Sequence, residues 1–418
     1  MIPLTTESTS QQPPTGWKWE LLTNLARLES GHTPSRRHPE WWDGDIPWLA
    51  LPDIRAVDCA VIHDTTETIN AEGIANSSAR ILPEDTVALS RTASVGFVTV
   101  LGRPMATSQD FVCWVCGPQL RPRFLMHLLH ASRDYIRGLA SGAIHKTVYV
   151  PTVKTLRVCI PSVVEQDRLV SMIDQQLDVA ARMRAAAEVQ AASLRSLAAT
   201  TLENILGGLV GVGCAPRRCG DVAIVKGGIQ KSPNRAPHSF HRPFLTVRNV
   251  MRGYLDLSDV GRMEITTAEL NRLQLRAGDL LVVEGNGSRD QIGRNALFRG
   301  EIEECVHQNH VIRVRPRREM LNPEYLSLYL NGRQGMEQML QRAMTTTGLH
   351  TLSVKKIESL EIPVPTLSQQ HAAVEKWTAS ARHLDAATRA ADQKAAAVGR
   401  LPAALLRHAF STSSADSN

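Results

Sequence analysis

The sequence predicts an α+β protein: two pseudo-symmetric mixed α/β domains, each followed by a long helix. Three observations carry that expectation. The chain has 418 residues, more than one hydrophobic core usually serves. An internal repeat returns after about 200 residues, too long for a solenoid unit and right for a whole domain. In each copy the hydrophobic rhythm then changes from short, turn-punctuated strands to a long stretch stepping by threes and fours.

The repeat can be followed step by step. Ile46-Pro47-Trp48-Leu49, followed by Asp53-Ile54, recurs as Arg242-Pro243-Phe244-Leu245, followed by Asn249-Val250. Leu82 to Val87 matches Arg276 to Leu281, and each copy then runs through a polar loop to Gly96 or Gly293. Ser108-Gln109-Asp110 corresponds to His307-Gln308-Asn309, each opening an apolar strand. Leu156 to Gln166 matches Leu360 to Gln370, with Pro161 and Pro365 aligned. The expected layout is a frayed tail over 1–15, a first domain over 16–162, its helix over 163–206 and a linker over 207–217. A second domain over 218–366, its helix over 367–410 and a tail over 411–418 complete it.

In the first helical stretch Leu177, Ala180, Arg184, Ala187, Ala191, Leu194, Ala198, Thr201 and Ile205 share a seam. In the second, Val374, Trp377, Ala381, Leu384, Thr388, Ala391, Ala395 and Val398 do. Val164 to Leu206 amounts to roughly 64 Å of helix at about 1.5 Å per residue, too long to bury in a small globule. The alanines permit close approach, so the two helices are expected to pack together. The alternative is two independent amphipathic helices, each lying across its own domain. Pro402 should kink the second helix near its end, and Gly207-Gly208 should supply a flexible exit from the first.

The first residues, Met1 to Pro14, lack the basic start and apolar core of a secretory signal. No uninterrupted apolar run approaches the ~20 residues that cross a bilayer. A cytoplasmic protein is expected. Seven cysteines scattered through the chain argue for reduced thiols. Cys113 with Cys116, or Cys214 with Cys219, offers half a zinc site without nearby histidines, so a structural role is the expectation. Lys and Arg number 22 against 16 Asp and Glu over residues 217–362, but 19 against 21 over 1–216. The positive excess therefore gathers in the second domain and suggests a phosphate-facing surface there.

From about Gly16 to Phe410 the residues resemble those of type I restriction-modification specificity subunits. Gly31-His-Thr-Pro34-Ser, Trp42-Asp-Gly44-Asp45-Ile-Pro47-Trp48, the Gly73 to Pro83 segment, Ser108-Gln109-Asp110-Phe111 and the Pro-x-x-x-Glu-Gln helix start occur in the family's order. The second copy departs in having His241-Arg242-Pro243-Phe244 where the first has the Trp-x-Gly-Asp-Ile-Pro-Trp form. The resemblance implies two target recognition domains on an antiparallel helical spacer, one domain for each half of a split, asymmetric DNA site. It also implies modification subunits that dock on the helices and methylate adenines with S-adenosylmethionine. Restriction subunits would translocate and cut DNA with ATP and Mg2+, and this chain itself would bind no cofactor. A spacer of fixed length suits that role, because half-sites repeat with the ~34 Å turn of DNA.

Candidate DNA contacts lie in polar loops. In the first domain they are Thr33, Ser35, Arg36 and Arg37 after Gly31, then Arg91 and Ser94 between two apolar strands. His145 and Lys146 follow a Ser141-Gly pair that lets backbone approach a phosphate. In the second they are Gln230, Lys231, Asn234 and Arg235, then Asn286, Ser288, Arg289, Gln291 and Arg294, whose amides and guanidiniums suit base edges. Thr346 and His350 take the place of the Ser141 to Lys146 loop. Solvated turns would look similar. Arg313, Arg315, Arg317 and Arg318 form a basic run that reads as a phosphate-contacting edge or as a solvated loop. Leu177, Leu194, Ile205, Trp377, Leu384 and Val398 are the expected spacer and docking positions.

A catalytic signature is missing. Asn322-Pro323-Glu324-Tyr325 has glutamate where an adenine methyltransferase motif needs a second proline. Asp392-Gln393-Lys394, the one nuclease-like triplet, falls in the alanine-rich helix. The expectation is a recognition subunit without catalysis of its own. A stand-alone DNA-acting enzyme, a specificity subunit of another phage-defence methylation system, and a pure protein scaffold are the alternatives.

Overall fold

The computed structural model describes residues 3–7, 12–142, 146–210, 214–230, 240–285, 291–343 and 351–411. They form two compact units, residues 1–187 with 393–418, and residues 188–392.

The first unit begins with β1 (Leu4–Thr5), β2 (Lys18–Leu21), α1 (Leu22–Leu25) and β3 (Ala26–Ser30). Next come β4 (Trp42–Leu49), α2 (Leu51–Ala56), β5 (Val61–Ile62), β6 (Glu67–Ile69) and α3 (Ala71–Ala75). β7 (Val87–Ser90), β8 (Val98–Leu101), β9 (Ala106–Thr107) and β10 (Phe111–Cys116) follow, then α4 (Pro122–Ala131), α5 (Arg133–Gly138), α6 (Val150–Lys154) and β11 (Arg157–Ile160). The long helix α7 (Val163–Val210) starts here and ends in the second unit. Among the described residues the strand orders are β3-β10-β7-β8-β5, β6-β4-β9 and β1-β11-β2.

β7 and β8 are buried throughout because alternate side chains serve two cores. Val87, Leu89, Val98 and Val100 join Phe124, Leu125 and Leu128 of α4, whereas Ala88, Leu101, Phe111 and Cys113 join Leu49 and Ile54.

The second unit contains β12 (Pro216–Arg218), α8 (Cys219–Val222), β13 (Ala223–Lys226), β14 (His241–Leu245), β15 (Gly261–Glu264) and α9 (Thr267–Leu273). β16 (Asp279–Val283), β17 (Asn295–Phe298), β18 (Val306–His307) and β19 (Val311–Pro316) come next, then α10 (Pro323–Asn331), α11 (Arg333–Ala343), α12 (Val354–Glu358) and β20 (Glu361–Pro363). α13 (Leu367–Gly399) and α14 (Leu401–Ser411) close the chain's described part. Strand orders β13-β19-β16-β17, β15-β14-β18 and β12-β20 repeat those of the first unit, without equivalents of β1 and β5 among the described residues.

The same buried polar residues hold both frames. Gln166, fully buried, accepts from the Arg121 N–H at 2.9 Å and donates to the carbonyls of Gln119 and Pro161 at 3.0 and 3.1 Å. Gln370 does the same with Asn322 N–H and the carbonyls of Met320 and Pro365, at 2.8, 3.0 and 2.7 Å. Asp53 accepts from Ala50 N–H and Thr66 N–H, and Asn249 accepts from Thr246 N–H while donating to the carbonyls of Asp256 and Asp259.

The register corrects the repeat at one point. Leu49 pairs with Thr107 and Leu245 with His307. Ser108 N–H then donates to the Leu49 carbonyl, as Gln308 N–H does to that of Leu245. Ser108-Gln109-Asp110 thus matches Gln308-Asn309-His310, one residue later than the sequence comparison suggests.

Both helical seams form. On α13 Ala391 and Val398 are buried and Val374, Trp377, Ala381, Leu384, Thr388 and Ala395 are half-buried. On α7 Ala180, Ala187 and Ala191 are buried and Leu177, Leu194, Ala198, Thr201 and Ile205 half-buried, whereas Arg184 is exposed. In the second unit Arg195 ion-pairs with Asp392, while Leu202, Leu206 and Ile205 share a core with Ala373, Val374 and Trp377. Rising numbers on α7 meet falling numbers on α13, which makes the pair antiparallel. In the first unit Leu169 and Ile173 pack in one core with Leu406, Ala409 and Phe410.

Three boundaries move. The segment expected as a frayed tail contributes β1: Leu4 is 1% exposed, and Cys159 N–H donates to the Pro3 carbonyl at 3.0 Å. An apolar side chain and an open sheet edge outweigh the polar composition around them. α7 continues through Gly207-Gly208 to Val210, because Leu202 and Leu206 anchor its last turns, and β12 leaves little of the expected linker. At Pro402 the helix breaks rather than bends: α13 stops at Gly399, and Pro402 sits in the first turn of α14, where its missing N–H costs nothing.

Candidate nucleic-acid interface

In the first unit the three loops singled out by sequence meet around Ser108–Asp110, the turn between β9 and β10. Gly31 ends β3 against this turn, where a Cβ would lie 2.1 Å from the Ser108 carbonyl oxygen, so only glycine permits the approach. His32 N–H donates to the Thr107 carbonyl at 2.9 Å, and the Thr33 hydroxyl donates to the Gln109 side-chain oxygen. From the other side Arg91 N–H donates to the Asp110 carbonyl at 2.8 Å, and the Thr92 hydroxyl to the Asp110 carboxylate. Thr92 bridges to Thr147, and Val148 N–H donates to the Arg91 carbonyl at 2.9 Å, which draws in the exposed Lys146.

Several of the candidate side chains already have partners within the unit. Ser35 and Arg37 are exposed. Arg36 instead forms a two-pronged pair with Glu67 at 2.5 and 2.8 Å and lies 3.6 Å from the Trp42 ring centroid. That pairing raises the Arg36 pKa and lowers that of Glu67. The Ser94 hydroxyl accepts from Arg55 Nε at 2.7 Å. Arg91 is half-buried, its Nε without a hydrogen-bond partner among the described residues. His145 lies outside the described residues.

The second unit repeats the convergence. A Cβ on Gly228 would lie 2.2 Å from the His307 carbonyl oxygen. Ile229 N–H donates to the His307 carbonyl and Asn309 N–H to that of Ile229, at 2.9 and 2.8 Å, with exposed Gln230 next in the chain. Glu284 N–H donates to the His310 carbonyl at 2.9 Å, and Gly285 bridges to Thr351. Lys231, Asn234, Arg235, Asn286, Ser288, Arg289, Thr346 and His350 lie outside the described residues. Gln230 and Gly285, where two of those stretches begin, directly follow Ile229 and Glu284, which bond to the His307–His310 turn, and Thr351, where the third ends, bridges to Gly285. Gln291 is exposed, but Arg294 is tied back to the Val247 carbonyl at 2.7 Å and to Gln291 Oε1 at 3.1 Å.

Of the basic run, Arg313 and Arg315 lie in β19 and form neither a phosphate-contacting edge nor a solvated loop, whereas Arg317 and Arg318 lie beyond the strand and are exposed. β19 lies inside its sheet, between β13 and β16. Arg313 is 2% exposed and donates to the Gln274 carbonyl, and Arg315 grips buried Asp279 at 2.6 and 2.7 Å. Burial lowers the Arg313 pKa. Part of the positive excess of 217–362 is therefore internal.

Sequence reasoning overlooked Gln109, Asp110, Asn309 and His310 as functional candidates. The signal was a polar tripeptide recurring before the same strand, read only as the strand's opening. Among the described residues no three His, Cys, Asp or Glu side chains gather as metal ligands. Burial pushes the Cys113, Cys116 and Cys219 thiols up to about 12, away from the thiolate form that binds zinc. No helix among the described residues is long and apolar enough to cross a membrane.

Residues 14–183 match the family model of the type I restriction modification DNA specificity domain. The MjaIX specificity subunit of Methanocaldococcus jannaschii is 24% identical over 162 residues, a stretch spanning 38% of each chain. The EcoKI specificity subunit of Escherichia coli K12 is 24% identical over 375 residues, 83% of this chain and 78% of that one. Among solved structures, a chain from work on complex assembly and conformational transition of the type I R-M system superposes with a TM-score of 0.71. It covers 96% of this chain and 99% of its own at 19% identity, a likeness of fold.

Proposed function

We propose, on the premise that this chain belongs to the type I restriction-modification specificity family through residues 14–183, that it reads a bipartite, asymmetric duplex site with one unit per half-site. The observation that carries this reading is the doubled convergence. In both units the same turn between equivalent strands is bonded from two sides, by His32 and Arg91 in the first and by Ile229 and Glu284 in the second, on matching backbone frames but with unlike side chains. A duplicated frame with different polar tips suits two half-sites of different sequence. Exposed Arg37 and Lys146 suit phosphates and Gln230 and Gln291 suit base edges, so contacts that position and contacts that specify would be divided among loops.

In this reading the chain performs no chemistry. Adenine methylation from S-adenosylmethionine, and any ATP- and Mg2+-driven restriction, belong to partner subunits held on the helical pair around Leu177, Leu194, Ile205, Trp377, Leu384 and Val398. The helix seam supports this, since its small residues draw the helices together and leave their outer faces to partners.

Mapping methylated adenines genome-wide, in cells with and without this chain, tests the reading. A split motif whose methylation disappears with the gene is expected; an unchanged methylation pattern overturns it. Deleting one heptad, Ala185 to Ala191, should alter the tolerated gap between half-sites while leaving each half-site's bases unchanged.

A further inference from the structure

The turn on which the loops converge carries side chains that the reading above leaves without a role. We propose that Gln109 and Asn309 are base-reading amides, held in opposite senses so that the two units ask for different bases. The inference rests on the chain being a DNA-specificity subunit, and deepens that reading.

Gln109 is exposed at the tip of its turn. Its Oε1 accepts the Thr33 hydroxyl proton on one of its two lone pairs, which turns the amide so that both N–H donors of the nitrogen stay free for a ligand. In the second unit Gln230 stands at the place of Thr33, and a different clamp holds the amide. Glu284 Oε2 lies 2.9 Å from His310 Nδ1. A carboxylate only accepts, so Nδ1 carries the proton, and in the neutral ring Nε2 keeps its lone pair. Asn309 Nδ2 lies 3.3 Å from that Nε2 and donates to it. One N–H and the whole Oδ1 of Asn309 remain for a ligand.

These two faces select differently. A donor beside an acceptor matches the N6 amine and N7 of adenine. Two donors match the O6 and N7 acceptors of guanine. Gly31 and Gly228 bring both turns against the neighbouring loops by the same close backbone approach, so the difference between the units lies in side-chain chemistry.

The test selects duplexes from a random library with the full chain bound to its modification subunit, then scores all four bases at each motif position. Wild-type protein should yield a split motif. Asn309→Ala should erase preference for adenine at one position of one half-site, a loss of discrimination of roughly 5- to 150-fold, leaving the other half-site intact. Gln109→Ala should do the same for a guanine in the other half-site. Gln109→Glu exchanges donors for acceptors and should move that preference toward cytosine, whose N4 amine donates. Glu284→Gln, which releases the His310 tautomer, should weaken the adenine preference without touching Asn309. The last two are near-isosteric and serve if an alanine variant lowers the melting temperature. Equal loss on every sequence, or an unchanged motif in all four variants, overturns the inference alone. A wild-type protein that selects no motif overturns the DNA-specificity reading and this inference with it.

Discussion

The two units solve one folding problem with one frame and finish it differently. Both clamp the start of a long helix with a buried glutamine, Gln166 or Gln370, and both press a glycine against a carbonyl oxygen, at Gly31 or Gly228. Around that frame they diverge. Among the described residues the first unit adds β1 and β5 and stacks Arg36 on Trp42, whereas the second uses neutral Asn249 where the first has Asp53. Positions tolerating a single answer are those where a buried backbone group has one reachable partner. Positions facing outward have drifted apart.

The comparison can be broken most directly at the glycines. Gly31→Ala and Gly228→Ala should each cost about 4 kcal/mol, because backbone rather than a movable side chain occupies the space of the new Cβ. Hydrogen exchange should show the loss in β3 for one variant and in β13 for the other. Loss in one unit only would end the equivalence.

Removing the glutamine clamps comes next. Gln166→Ala and Gln370→Ala each leave one N–H and two carbonyls without their partner, at a cost of about 3 kcal/mol, read by denaturant unfolding of each variant. Unequal costs would show that one unit depends less on its helix.

A smaller effect sharpens the difference between the units. Burial lowers the His307 pKa to about 4, with its Nδ1 on the Val311 carbonyl at 2.6 Å. In the unfolded chain the ring titrates near ~6.5. Between those values the unfolded state takes up a proton that the folded state refuses, so the stability present at pH 7 is lost as pH falls. The loss at pH 5 should be about 2 kcal/mol. His307→Thr installs the residue that the first unit has at this place and should flatten that slope, measured by unfolding at both pH values.

The smallest effect belongs to the Arg195–Asp392 pair between the helices. Both side chains are about half exposed, so Arg195→Ala should cost less than ~1 kcal/mol, and less still in high salt. A larger loss in a double-mutant cycle with Asp392→Ala would give the pair a structural weight that its exposure argues against.

Much of this architecture was legible before any coordinates. The repeat announced two units, and the spacing of Ala180, Ala187, Ala191, Ala391 and Val398 announced the seam, since helical periodicity is a local property. The β1 strand was not legible, because two residues carry no periodicity and Leu4 is recruited by a distant sheet edge. Nor was the internal role of Arg313 and Arg315, whose partners Gln274 and Asp279 approach from about 35 to 40 residues away.

By itself the sequence determined that the protein is duplicated, where each helix begins and which helix face is apolar, because composition and period act along the chain. Tertiary structure alone decided which loops share a turn and which arginines stay exposed. Such choices depend on pairings across long sequence separations, where one residue of register moves a side chain to the opposite face.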